Sequence, residues 1–195
     1  MKKTLVVFLA LIIGSECHSQ LYRTAHTLDA RAFSAGINPT LIFSPGSMGF
    51  GVTNFHVNAG LSADLELGLK LMTEMGWMPR LRLPIVRGFG ADLRWNIYDG
   101  FPVISVSAGV HKLGGFIMDG KLNVTVPLTG SIGFFTGLEV WRPFYMEDDY
   151  SIFWLPVGME VVFLKRVSLL LEVDFGIFNK YETIHKVSTG IRYCF

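Results

Sequence analysis

The sequence is short of charge. Asp, Glu, Lys and Arg make up 17% of its 195 residues, against roughly 25% in an average soluble domain. An excess of one sign is lacking too. The formal net charge is +1 and no basic block occurs, which excludes a nucleic-acid-binding tail and a charge-driven partner. Long apolar runs are also missing. Hydrophobic residues make up 50% and the mean hydropathy is positive. Yet the longest clean apolar run is Thr4 to Gly14, and a transmembrane helix needs about 17–25 residues. The mature chain is therefore no helical membrane protein, and its apolar residues must be dispersed. Metal and phosphate chemistry lack their motifs. His18, His26, His56, His111 and His185 stand without ligand spacing. Gly88-Phe89-Gly90 falls inside an alternating stretch, where Gly suits a crowded wall. No cofactor is expected.

What is present begins with Lys2 and Lys3, then an apolar core over Thr4–Gly14, then the polar Ser15–Gln20. This is the order of a secretory signal peptide. Cleavage after Ser19 would place the small residues Cys17 and Ser19 at −3 and −1. Glu16 directly before Cys17 departs from a lipidation site, so residues 1–19 are expected to be a signal peptide and 20–195 a single domain. Loss of Lys2, Lys3 and Glu16 leaves 15 charges of each sign and a neutral mature chain. Only Cys194 remains, which excludes an internal disulfide. Arg192 lies two residues away on the same strand face, and Cys194 reads as a small filler.

From end to end the mature chain has period two. Leu65, Leu67, Leu69 and Leu71 interleave with Glu66, Gly68 and Lys70. Phe89 to Ile97, Leu169 to Ile177 and Val187 to Phe195 alternate in the same way. Alternation of apolar and polar residues is the signature of a strand with two unlike faces. Weaker alternation marks Arg31–Phe43 (flawed by Pro39), Phe50–Leu61, Phe101–His111, Lys121–Leu128, Ser131–Arg142 and Ile152–Phe163. The count is ten strands, with eight as the alternative, each near the roughly 9–11 residues that cross a bilayer. Short connections (Ser62–Asp64, Tyr98–Gly100, Leu128–Gly130, Leu164–Arg166) alternate with longer ones (Ser44–Gly49, Glu74–Arg87, Lys112–Gly120, Pro143–Ser151, Asn179–Thr183). This predicts an all-β, closed, antiparallel up-and-down barrel, with both termini at the short-turn end.

The polar face decides which side is the interior. It is rich in Gly and Ser, which suits a narrow lumen, and it carries both signs: Glu66, Asp92, Glu139, Glu160, Glu172 and Asp174 against Lys70, Arg94, Lys186 and Arg192. These ten are expected to form a polar network inside, with the apolar face turned to lipid, the inverse of a soluble lipocalin-like barrel. Aromatics gather near strand ends: Trp95, Tyr98 and Phe101 at the short turns, and Trp141, Phe144, Tyr145, Tyr150 and Trp154 at the loops. That is the placing of interfacial girdles. Strict alternation, however, turns Trp141 and Trp154 inward.

The chain ends Val187-Ser-Thr-Gly-Ile-Arg-Tyr-Cys-Phe195. Alternating apolar residues closing on a terminal aromatic, here Ile191, Tyr193 and Phe195, resemble the assembly signal of bacterial outer-membrane barrels. With the signal peptide, the whole chain resembles the small outer-membrane β-barrel proteins of Gram-negative bacteria. The resemblance implies an integral outer-membrane protein with periplasmic termini, in contact with outer-membrane lipid, lipopolysaccharide and the barrel-assembly machinery. It implies no activity. A hydrolase is poorly served. Barrel lipid A deacylases use a His and a Ser, but His185 and Ser188 point to opposite faces. An omptin-like protease would need His111 to meet the loop acids Asp148 and Asp149 at the rim. The expected function is therefore non-enzymatic, structural or surface-interacting. A small-solute, porin-like pore is the alternative and an outer-membrane hydrolase the third reading.

Overall fold

In a computed structural model, residues 25–43, 50–75, 85–113, 115–144, 151–164, 166–177 and 185–195 are described. The expected signal peptide and the loop residues Tyr145, Asp148, Asp149 and Tyr150 lie outside them. Ten strands follow one another: β1 (Phe33–Phe43), β2 (Phe50–Gly60), β3 (Leu65–Met75), β4 (Ile85–Asp99), β5 (Val103–Leu113), β6 (Gly115–Thr129), β7 (Ile132–Pro143), β8 (Ile152–Leu164), β9 (Val167–Ile177) and β10 (His185–Cys194). Each pairs antiparallel with its sequence neighbours, and β1 pairs with β10 to close the barrel. Closure leaves no edge strand, the condition for a sheet in hydrocarbon.

The alternation sets the faces. Along β9, Leu169, Leu171 and Phe175 are exposed while Ser168, Leu170, Glu172 and Asp174 are buried. Along β10, Ile191 and Tyr193 face out while Lys186, Ser188, Arg192 and Cys194 face in. Trp95, Tyr98 and Phe101 are exposed at the short-turn end, and Phe144 at the other. Trp154 is buried and Trp141 half-buried, so neither belongs to a girdle. Each strand must present one face to a confined polar space and the other to an apolar surround, and only period two does both.

The structure corrects one connection. Lys112–Gly120 is not a long loop. Leu113 pairs with Gly115, and β5 and β6 run on as a ladder from there. Phe116 and Met118 point out while Ile117 and Asp119 point in, so the alternation persists. Asp119 and Gly120 resemble loop residues only when the lumen partner of Asp119 is unknown.

Two prolines interrupt the wall without shifting its register. Pairing of β1 with β10 breaks between Ile37↔Ile191 and Thr40↔Ser188, at Pro39. Pairing of β7 with β8 breaks between Thr136↔Val157 and Glu139↔Trp154, at Pro156. A proline has no N–H to give to a ladder.

Inward glycines make room for large lumen side chains. A Cβ on Gly36 would overlap the His56 ring. One on Gly158 would overlap the buried Phe135 ring and lie 2.6 Å from the Leu171 carbonyl oxygen. Because backbone closes one side of that space, Gly158→Ala is expected to cost about 1–3 kcal/mol as overpacking, read in a urea titration in lipid vesicles. An unchanged midpoint would mean that Phe135 moves freely.

Candidate functional site

The lumen holds the charged residues of the strands, and the structure places all ten of the expected network there. At the short-turn end Arg94 meets Glu66 at 3.5 Å and Arg192 meets Glu160 at 3.4 Å. Higher up, Lys70 pairs with Asp92 at 3.0 Å and Lys121 with Glu139 at 3.2 Å. Towards the long-loop end Lys186 bridges Asp174 at 2.9 Å and Glu139 at 3.4 Å. Glu172 is buried beside them. Pairing is what makes these charges tolerable away from bulk water, since an isolated buried ion is very costly. Between the layers, among the described residues, lies a cavity of about 20 Å³, lined among others by Lys70, Asp92, Arg94, Glu139 and Glu172. That is space for about one water molecule.

Lys186 is also held by aromatics. Its Nζ lies 4.0 Å from the Trp154 ring centroid and 4.9 Å from that of Trp141. The two indoles meet edge-on at 4.7 Å, and Trp141 Nε1 donates to Glu139. A cation over an indole face gains from the ring quadrupole, more so when desolvated. The tryptophans therefore help to hold a lumen cation.

Three network members were missed in the sequence: His111, Asp119 and Lys121. His111 pairs with Asp119 inside the barrel rather than standing at the rim. Asp119 fell in the misread loop. The alternation that runs from Met118 through Leu122 to Leu128 is the signal that could have placed it. A His–Asp pair is part of a hydrolytic triad. Here His111 Nδ1 has no hydrogen-bond partner among the described residues, and the ring lies against Gly90. His185 and Ser188 are indeed on opposite faces: His185 stacks with Phe43 and Phe175, whereas Ser188 Oγ lies 2.9 Å from Thr40 Oγ1 inside. Among the described residues no three His, Cys, Asp or Glu side chains form a metal-capable group.

The sequence also gave no warning of what fills the short-turn mouth. Residues 25–32 turn back into the lumen, and Ala25, Thr27 and Leu28 are fully buried. Ala25 N–H donates to Thr125 Oγ1 at 2.7 Å and Leu28 N–H to Glu66 Oε2 at 2.9 Å. Thr27 Oγ1 donates to the Ala63 carbonyl at 2.7 Å. Burial lowers the His26 imidazole from its ordinary range, against the pull of Asp99. The turn into β1 uses Arg31 at φ 71°, with Ala32 N–H donating to the Asp29 carbonyl. Leu28 packs on Ala32 and Cys194. Leu28→Asp is therefore expected to unseat the segment and speed labelling of Cys194, 1% exposed, by a water-soluble thiol reagent at least about tenfold. A loss of the order seen for buried leucines, about 2–5 kcal/mol, drives it. An unchanged labelling rate would show that β10 alone shields the thiol.

No family model and no curated protein matches this sequence. Among solved structures, the chain is similar to the translocator domain of autotransporter NalP from Neisseria meningitidis. Identity is 10%, coverage 98% of this chain and 93% of that one, and the TM-score 0.52. Weaker similarities include the NanC porin (10% identity, 84% and 99% covered, TM-score 0.44). Another is the N-terminal β-barrel domain of Pseudomonas aeruginosa OprF (13% identity, 83% and 97% covered, TM-score 0.38). At such identity the NalP likeness is one of fold. Together with a wall that is apolar outside and charged inside, it gives this chain the architecture of the transmembrane β-barrels.

Proposed function

We propose that the protein is a sealed barrel of the bacterial outer membrane, non-enzymatic, that works through its faces in a structural or surface-interaction role rather than by passing solutes. The observation that carries this reading is the lumen. Paired charges line a cavity of about 20 Å³ among the described residues, and residues 25–32 fill the short-turn mouth. The apolar outer wall supports a membrane setting, and the expected signal peptide supports export. Under this reading the short-turn end and both ends of the domain face the periplasm. The partners are outer-membrane lipid and lipopolysaccharide around the wall, and the assembly machinery at Ile191, Tyr193 and Phe195. Ile191 and Tyr193 face outward, and Phe195 N–H closes the seam on the Phe33 carbonyl at 2.8 Å.

The test is a planar bilayer. The purified, heat-modifiable barrel is expected to add no steady unitary conductance in 1 M salt (about 1 M, high enough to screen fixed charge). Steady open channels in the wild type would overturn the sealed reading in favour of a small-solute pore. Recovery of the protein in the soluble periplasmic fraction would overturn the membrane setting itself.

A further inference from the structure

We infer that the outer wall at the β1–β10 seam carries a binding site for one hydroxylated acyl chain of a membrane lipid. The main-chain groups of the seam fix the argument. Phe195 N–H donates to the Phe33 carbonyl, and the register runs on unshifted through Ile37↔Ile191 to Thr40↔Ser188. In an antiparallel ladder the residues that face a given neighbour alternate. The odd residues of both strands therefore face each other across this seam, and Pro39 stands opposite Thr189. Pro39 has no N–H to offer, and the pairing lapses there. The Thr189 carbonyl has lost its strand donor halfway along the lipid-facing wall.

An apolar groove of about 590 Å³ opens at the same place. Ile37, Leu171 and Ile191 stand at its sides as exposed side chains, while the inward-facing Leu170 and Gly190 reach it through the dent in the wall. Its occupant has to meet two demands. It must be apolar, because the groove lies in the hydrocarbon zone, and it must bring a hydrogen-bond donor to a carbonyl that no water reaches. A second copy of the barrel presents mostly apolar side chains such as Leu69 and Leu93, which leave the acceptor unmet except where its own Thr189 faced the groove in a two-fold contact. An unsubstituted acyl chain also leaves the acceptor unmet. An acyl chain with a hydroxyl partway along it meets both.

This inference rests on the membrane setting and is independent of whether the lumen conducts. The protein is folded into dioleoylphosphatidylcholine vesicles with a nitroxide-labelled stearic acid as reporter. Wild type is expected to immobilise a fraction of the reporter. 12-Hydroxystearic acid should displace it at about fivefold lower concentration than stearic acid, the factor that one net hydrogen bond supplies. Pro39→Val restores an N–H to the Thr189 carbonyl and should make the two competitors equal. Thr189→Phe fills the groove from the lipid side and should abolish the advantage of 12-hydroxystearic acid, leaving only the reporter held by the rest of the wall, a second reading that stands if Pro39→Val does not fold. Equal potency in the wild type, or a preference that survives Pro39→Val or Thr189→Phe, would each overturn the site. So would a detergent-stable dimer of the wild type that Thr189→Phe dissociates. A chain that does not insert into the vesicles at all overturns the membrane setting, and the site with it.

Discussion

Leu171→Arg is expected to lower the stability of the barrel in lipid by about 2–4 kcal/mol, the cost of a cation on the lipid face near the bilayer midplane. Leu171 is 50% exposed on β9 while its neighbour Glu172 is 1% exposed, so two adjacent residues sample opposite environments. The guanidinium at position 171 would have to snorkel or draw water into the hydrocarbon. Glu172→Gln keeps the shape and hydrogen-bonding capacity of the lumen side chain and removes only its charge, so its cost should be smaller. Unfolding titrations of both variants in the same lipid check the comparison. If Glu172→Gln were the more damaging, the faces of β9 would be reversed in the membrane, and the wall would not be the lipid-facing surface.

The second large effect lies in the lumen. Arg192 and Glu160 are 1% and 0% exposed at the side chain and meet at 3.4 Å. Arg192→Met should cost about 3–5 kcal/mol, because it leaves the Glu160 carboxylate buried without its cation. The double variant Arg192→Met with Glu160→Leu should recover much of that loss, since removing both members of a buried pair is far cheaper than removing one. The readout is the urea midpoint of the folded barrel in vesicles for the wild type, the single and the double variant. A double variant as unstable as the single would show that Arg192 acts through its other lumen contacts and not through Glu160.

Some of the architecture was legible because it is written locally. Leu65–Leu71 and Leu169–Ile177 each repeat their environment every second residue, and a strand between lipid and a polar lumen allows no other spacing. The inward faces of the ten charged residues named from Glu66 to Arg192 follow from that parity. Residues 112–120 lack so plain a local record. Between Lys112 and Gly120 a charged residue beside a glycine looks like a loop, and the pairing with His111 on the facing strand shows Asp119 to be a lumen residue. Trp141 and Trp154 show the same ambiguity. Composition puts them in a girdle, parity puts them inside, and Lys186 between their rings gives the physical reason for the latter.

The sequence by itself determined the barrel and its inside-out polarity, because period two records at each residue which solvent that residue meets, while pairing around the closed sheet decided ten strands over eight. Only the tertiary structure decided how the lumen is filled and where the wall is weak. Ion pairing joins residues far apart in the chain, such as Glu139 with Lys186. The folding back of residues 25–32 depends on acceptors that β3 and β6 present only after the barrel has closed. The gap at Pro39 becomes a site only because closure sets Thr189 opposite it. Each of these is a distance between strands, and a periodicity within one strand carries no information about it.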